Sequence, residues 1–383
     1  MIKSTIQFIR EIYGVKEGQI PLHVPFFNGN EQKYVNDAVV SGETSASGAY
    51  IQKFEKALAE YTGAKEAVAV SNGTAALHVA LHMVGVTTGE EVITQALTFV
   101  ATGNAIRYVG AQPVFVDVDA DSMGMSPESL EGFLKSSCEK RSNGVFNVKS
   151  GKRIAAVLPM HTLGFPVRIE EIAAVCKEWD LPLIEDAAEA LGAKVGDKHV
   201  GLFGAIGTLS FNGNKSITSG GGGALILNDS KLANRARHLI STAKKPHTYE
   251  YFHDELGFNY VMPNLNAALA LGQIEHLSEM LYQKRALGYV YSEHMEREGV
   301  KMRSERPGTK ANFWLITLQL ADRKQRTEFL DALNAADITC RPIWTLLHKM
   351  PEFKSCQTTD LTHSQFLEDR IVNVPSSVKG LRI

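Results

Sequence analysis

The chain reads as an α/β protein, with a mostly parallel sheet covered by helices on both faces and a smaller C-terminal α/β domain. Three observations predict this. Apolar runs of strand length recur through the first two thirds, helix-period segments separate them, and the texture changes to a long helical stretch near residue 263. Strands buried on both faces need such continuous apolar runs, because neither face meets water.

Taken in order, MIKSTIQFIREIYGVKEG sets Ile2, Ile6, Ile9 and Ile12 or Tyr13 on one side. It therefore reads as an amphipathic helix within residues 1–20, not as an export signal. NEQKYVNDAVVSG reads as a helix ending at Gly42, and GAYIQKFEKALAEYTGA as a second one closed by Gly63. AKEAVAVSNG is a strand running into a glycine turn, and TAALHVALHMVGV is a helix. EEVITQALTFVATGNAIRYVG gives a strand and then a helix. QPVFVDVD, RIAAVLPMHTLG, LPLIEDAAEALGA, AIGTLSFNG and GGALILND bring the sheet to seven strands. PNLNAALALGQIEHLSEMLYQKRALGYVYSEHMEREG reads as one long connecting helix, followed by the strand NFWLITLQL and the helix RKQRTEFLDALNAAD. This divides the chain into a large domain, 1–262, which includes the N-terminal helix, and a small domain, 263–383. The polar, basic SSCEKRSNGVFNVKSGKR reads as a solvated surface hairpin or loop.

Composition narrows the function. With 383 residues, 44% apolar and 21% charged, the chain can bury a large core. Forty basic against 42 acidic residues leave a net charge of −2, which gives no field to draw it onto nucleic acid or an anionic membrane. No stretch of about 18 uncharged apolar residues is present to span a bilayer. Cys138, Cys176, Cys340 and Cys356 lie far apart and form no C-x-x-C. Neither a disulfide framework nor a zinc ribbon is expected, and reduced thiols fit a cytoplasmic setting.

Four strand ends can carry chemistry, because open α/β sheets bind ligands outside the carboxyl ends of their strands. Ser71-Asn72-Gly73-Thr74-Ala75 joins a strand to a helix, where free N–H groups and the Thr74 hydroxyl make an anion site. Alone the pattern is also that of an ordinary N-cap turn. Asp186 ends LPLIED, and a carboxylate there needs a partner or a cation. Glu185 and Glu189 could join it at a metal, but the segment offers no histidine; the other reading is a partner for a protonated ring nitrogen. Lys215 follows Ser210-Phe211-Asn212-Gly213-Asn214 and precedes Gly220 to Gly223, an arrangement shared with surface loops. Phe99 follows EEVITQA, where an aromatic lies flat on a planar ligand or simply packs in the core. Together a phosphate cradle, an aromatic, a carboxylate and an amine point to pyridoxal 5'-phosphate and to no metal.

These motifs resemble the DegT/StrS-type sugar aminotransferases, a fold-type I pyridoxal-phosphate family. The resemblance runs from about Ile20 to the C-terminus through SNGTAALHVAL, TFVATGNAI, PVFVDVD, PMHTLG, IEDAAEALGA, SFNGNK with GGGGA, and GFNYVMPNLNAALALGQIE. IPLHVPFFNGNE, RPIW and LHKMPEF look closest to the branch that aminates UDP- or GDP-linked 4-keto-6-deoxy-N-acetylglucosamine for bacillosamine and legionaminic acid. The resemblance implies that Lys215 is joined to the cofactor aldehyde, Asp186 pairs with the ring nitrogen and Phe99 stacks on the ring. It implies that Gly73, Thr74, Ala75 and Ser210 hold the phosphate and that Glu189 sits near the ring hydroxyl. It also implies a homodimer with shared active sites, to which the partner contributes Asn259. His161, His348 and Tyr260 are the implied substrate contacts. L-glutamate would donate the amino group, leaving 2-oxoglutarate, and a nucleotide-linked keto sugar would receive it.

Two segments depart from the family pattern. Glu43-Thr44-Ser45 stands where many relatives have Gly-Trp-Val-Ser, and Tyr260 is followed by Val261 where Arg is usual. They leave room for a 3-keto or non-N-acetylated substrate, or for a non-catalytic sugar-nucleotide binder. A related dehydratase would carry histidine in place of Lys215.

Overall fold

The computed structural model describes residues 1–378 and 381. The seven expected strands are β1 (Glu66–Val70), β2 (Glu91–Gln95), β3 (Gln112–Val116), β4 (Arg153–Leu158), β5 (Ile184–Asp186), β6 (Ile206–Ser210) and β7 (Gly223–Leu227). They form one twisted layer in the order β1-β7-β6-β5-β4-β2-β3. β5 joins β4 only through the parallel bridges Val157–Leu183 and Met160–Asp186. β7 runs antiparallel to β1 and β6, and the remaining contacts are parallel. The polar segment after residue 137 is a hairpin, Cys138–Arg141 and Gly144–Asn147, paired to the start of β4.

Strand alternation fixes what covers each face. α1 (Ile2–Tyr13) precedes the sheet region, and α2 (Glu31–Val40) and α3 (Ala49–Thr62) lead into it. α4 (Gly73–Met83), α5 (Val100–Tyr108), α6 (Pro127–Ser137), α7 (Ile169–Glu178) and α8 (Ser230–Ile240) follow their strands. Ala67 and Ala69 of β1 pack with Phe54 and Leu58 of α3, whereas Val68 and Val70 pack with Leu77 and Val79 of α4. The period of two thus buries both faces of one strand in two different cores. Gly63 closes α3 in the left-handed conformation (φ 75°), as the sequence requires.

The long helical stretch is not one helix. It divides into α9 (Asn264–Glu275) and α10 (Leu277–Arg297) at His276, whose ψ of 4° leaves the helical region. The His276 ring packs so closely on Gly29 that a Cβ there would lie 2.2 Å away. Tertiary packing therefore overrides the local helical period. α9 lies against the sheet core with Phe54 and Leu58, while α10 turns toward the C-terminal core.

That second core surrounds an antiparallel sheet containing β8 (Ile316–Gln319) and β9 (Ile371–Val374), with α11 (Arg323–Ala335) beside it. The expected grouping placed residues 1–20 with the large domain. Ile9, Ile12 and Tyr13 of α1 instead bury among Leu287, Tyr291, Phe329 and Leu333 of α10 and α11. α1 ends at Tyr13 because Gly14 adopts φ 63° and caps it.

The Asn72-Gly73 turn lies directly over the start of β7, so a Cβ on Gly223 would meet the Asn72 carbonyl carbon at 2.5 Å. Gly223→Ala should lower stability by about 1–3 kcal/mol, because backbone on both sides blocks relaxation. Thermal unfolding checks this, and an unchanged midpoint would contradict the close approach.

Candidate active site

Five strand-end segments converge on one cavity of about 300 Å³ at the carboxyl edge of the sheet. Its walls include Gly73, Thr74, Phe99, Asp186, Glu189, Ser210 and Lys215. That size lies at the small end of typical ligand sites. A wider concavity of about 670 Å³ lies by α3, β1 and Arg237. It is an open surface of charged side chains, where Glu55 and Glu66 pair with Arg237.

Asp186 ends β5, and its side chain is 2% exposed. Oδ2 accepts from the Thr102 hydroxyl at 2.8 Å and Oδ1 from the Ala188 N–H at 3.2 Å. Thr102 is set by Thr98, just before the N-cap of α5, through a 2.7 Å hydroxyl contact. No ion pair reaches Asp186 among the described residues. Burial therefore raises its proton affinity, against the two hydrogen bonds and the fields of Lys215 and His161.

Glu189 is the next acid along the loop. Oε1 accepts from the Lys215 ammonium at 3.1 Å and Oε2 from the Leu163 N–H at 2.9 Å. Burial raises its carboxyl too, opposed by Lys215. Leu163 has a φ of 55°, an uncommon conformation for leucine, and this aims its N–H at the acid. Lys215 also lies over the Trp314 ring, 4.0 Å from its centroid.

The Asn72 side chain caps α4 by accepting from the Ala75 N–H at 2.8 Å. Ala75 is buried outside the cavity lining, and its donor is already used, so it is not a free phosphate donor here. Gly73 and Thr74 do line the cavity, and Ser210 closes it so tightly that a Cβ on Gly73 would lie 2.9 Å from the Ser210 Cβ. Phe99 is half-exposed and packs edge-on to Trp344, 6.0 Å between centroids.

The implied substrate contacts fare differently. His161 is wholly buried: Nε2 pairs with Glu185 at 3.1 Å and Nδ1 accepts from the Val167 N–H. Both ring nitrogens are occupied, so His161 presents no free ring atom to the cavity. Tyr260 sends its hydroxyl to His78 at 3.2 Å, and His348 sits on a short turn after Trp344; neither lines the cavity. Asn259 is exposed, bridged to Ser241 outside its own chain's cavity.

Sequence reasoning missed Trp314, Trp344 and Thr102. Thr102 had a signal, since it stands in the first turn of the helix that follows the Thr98-Phe99 strand end. The tryptophans come from the C-terminal part of the chain, and nothing local marks them as cavity walls.

A buried acid without a cation, a reachable amine and a glycine-lined helix start suit a phosphorylated pyridine aldehyde: the ring nitrogen would supply the missing positive charge. Comparison with known proteins agrees. Residues 26–380 match the DegT/DnrJ/EryC1/StrS aminotransferase family. The GDP-perosamine synthase of Escherichia coli O157:H7 is 36% identical over 334 residues, covering 87% of each chain. That of Vibrio cholerae is 35% identical over 364 residues, 93% of this chain and 94% of the other. The crystal structure of a DegT DnrJ EryC1 StrS aminotransferase from Brucella abortus superimposes with a TM-score of 0.82 at 28% identity, over 91% of each chain. The chain belongs to the DegT/DnrJ/EryC1/StrS family of sugar aminotransferases, and its cofactor is pyridoxal phosphate.

Proposed function

We propose that this enzyme transfers the amino group of L-glutamate to a nucleotide-linked 4-keto-6-deoxy sugar, giving a 4-amino-4,6-dideoxy sugar nucleotide and 2-oxoglutarate. The observation that carries the reading is the meeting of Lys215 and Asp186 in one cavity, an amine and a deeply buried acid with no ion-pair partner among the described residues. The relatives named GDP-perosamine synthases favour a GDP-linked sugar over the UDP-linked one of the bacillosamine branch.

Bound pyridoxal phosphate supplies an electron sink for the carbon that loses its proton. The chain's own groups would do the rest. Asp186 would hold a proton on the ring nitrogen, since an adjacent negative charge favours the cationic form. Lys215 would join the aldehyde and, when displaced by the amino donor, carry a proton at Nζ from the donor carbon and return it. Glu189 would orient Lys215 through the contact at Oε1 and face the ring hydroxyl. Phe99 would cover the ring, and Gly73, Thr74 and Ser210 would surround the phosphate. A homodimer would bring the partner subunit's Asn259 to the phosphate.

Lys215→Ala should abolish turnover while the protein still melts cooperatively; a variant that keeps full activity would end the reading. An amination assay with glutamate and a panel of UDP- and GDP-linked keto sugars identifies the acceptor. Purified protein should be yellow and bleach on adding glutamate, whereas a colourless protein indifferent to the cofactor would favour a non-catalytic binder.

Asp186→Asn should slow turnover by about 10²-fold or more. Its effect on the cofactor-free protein has the opposite sign. A carboxyl raised by folding makes the native state bind more protons than the unfolded chain, so stability falls as pH rises from about 4 through the raised value. Removing that charge should make cofactor-free Asp186→Asn melt higher than cofactor-free wild type at neutral pH. Differential scanning calorimetry decides it.

A further inference from the structure

Behind the cavity wall lies a buried lysine that the chemistry above does not use. Lys284 stands mid-way along α10 and is 1% exposed. No carboxylate pairs with it among the described residues. Its Nζ instead contacts His23 Nε2 at 2.9 Å and donates to the carbonyls of Trp314 at 3.1 Å and Ser376 at 3.0 Å. Burial pushes its pKa down to about 7 and holds His23 well below the ordinary imidazole range. A methionine of similar length would avoid the desolvation, and apolar replacements of buried charges are often neutral or stabilising. An amine kept at such a position calls for a reason other than stability.

Trp314 supplies one. Each of its polar atoms is held by a different segment: N–H by Asn312 Oδ1 at 2.9 Å, indole N–H by the Asn214 carbonyl at 2.6 Å, and carbonyl by Lys284. Asn214 directly precedes Lys215, and the Trp314 ring lies beneath the Lys215 ammonium. The hub also ties the chain ends together, because the Ser376 N–H donates to the Leu22 carbonyl at 2.7 Å and its hydroxyl accepts from Ile316 N–H at 2.7 Å. Lys215 acts on His23 through its field, so hub and cavity amine are electrostatic neighbours.

We propose that Lys284 is a positioning residue which, by anchoring the Trp314 carbonyl, fixes the indole against Lys215 and so sets the reactivity of that amine. The inference deepens the proposed role of Lys215, but its test does not need that role to be right.

The test is a double-mutant cycle on the full-length, cofactor-free protein. The rate of trinitrobenzenesulfonate labelling at Lys215 is followed by peptide mass. The assay is run at about pH 9, where a group with a pKa near 7 carries no charge, so a lost field cannot mimic a lost contact. Lys284→Met should raise the Lys215 labelling rate by about fivefold, within the range expected for loosening a desolvated cation–π contact. Trp314→Leu should raise it at least as much, and the double variant should be no faster than Trp314→Leu alone. Lys284→Gln, too short to span to the Trp314 carbonyl, replaces Lys284→Met if the latter does not fold. An unchanged rate in the Lys284 variant, or effects that multiply in the double variant, would overturn the proposal. Failure of the aminotransferase reading would appear separately, as a wild-type protein that neither turns yellow with pyridoxal phosphate nor bleaches with glutamate.

Discussion

Asp186 carries a carboxyl to a buried place where no ion pair reaches it among the described residues, and much of the surrounding backbone is arranged around that group. β5 contributes only three residues and is held to β4 by isolated bridges, of which Met160–Asp186 is the one nearest the acid. The backbone N–H of Asp186 donates to the Pro159 carbonyl, and its carbonyl accepts from the His161 N–H. The main chain at the acid is thereby pinned from the neighbouring strand, while the side chain receives only Thr102 and Ala188. Two hydrogen bonds are too few to offset full burial of a carboxylate. A positively charged ring, as proposed above, would balance the site.

Its neighbour shows the same problem solved without a ligand. Glu185 is equally buried but points to the opposite face of the strand, where its oxygens accept from the N–H groups of Gly201, Phe203 and Gly204 and pair with His161. Three backbone donors satisfy that acid outright. One residue of register therefore separates a carboxylate satisfied by backbone donors from one that faces the cavity, and the loop after residue 200 supplies those donors.

The cavity also depends on both parts of the chain. Trp314 and Trp344 close it from the C-terminal region, while the strand ends of the sheet supply its acids and its amine. Asn312 fastens the two together: its side-chain amide donates to the carbonyls of Glu189 and Leu191, and its oxygen accepts from the Trp314 N–H. Glu189 and Trp314, which both contact the Lys215 ammonium, are thus tied to a single asparagine.

The strands, their two-faced burial, the glycine stop at Gly63 and the acid at the end of β5 were all legible in the sequence, because each follows from local period, local sterics or a residue's position along its own strand. The cluster of Gly73, Phe99, Asp186, Ser210 and Lys215 was legible for the same reason, as every member ends a recognisable strand. Tertiary structure alone decided the rest. It broke the helix at His276 against Gly29, committed both nitrogens of His161 to the core, and brought Lys284 and Trp314 behind Lys215 from segments distant in sequence. Such contacts are set by how layers pack, and a linear pattern of residues carries burial and period but not the identity of a partner a hundred positions away.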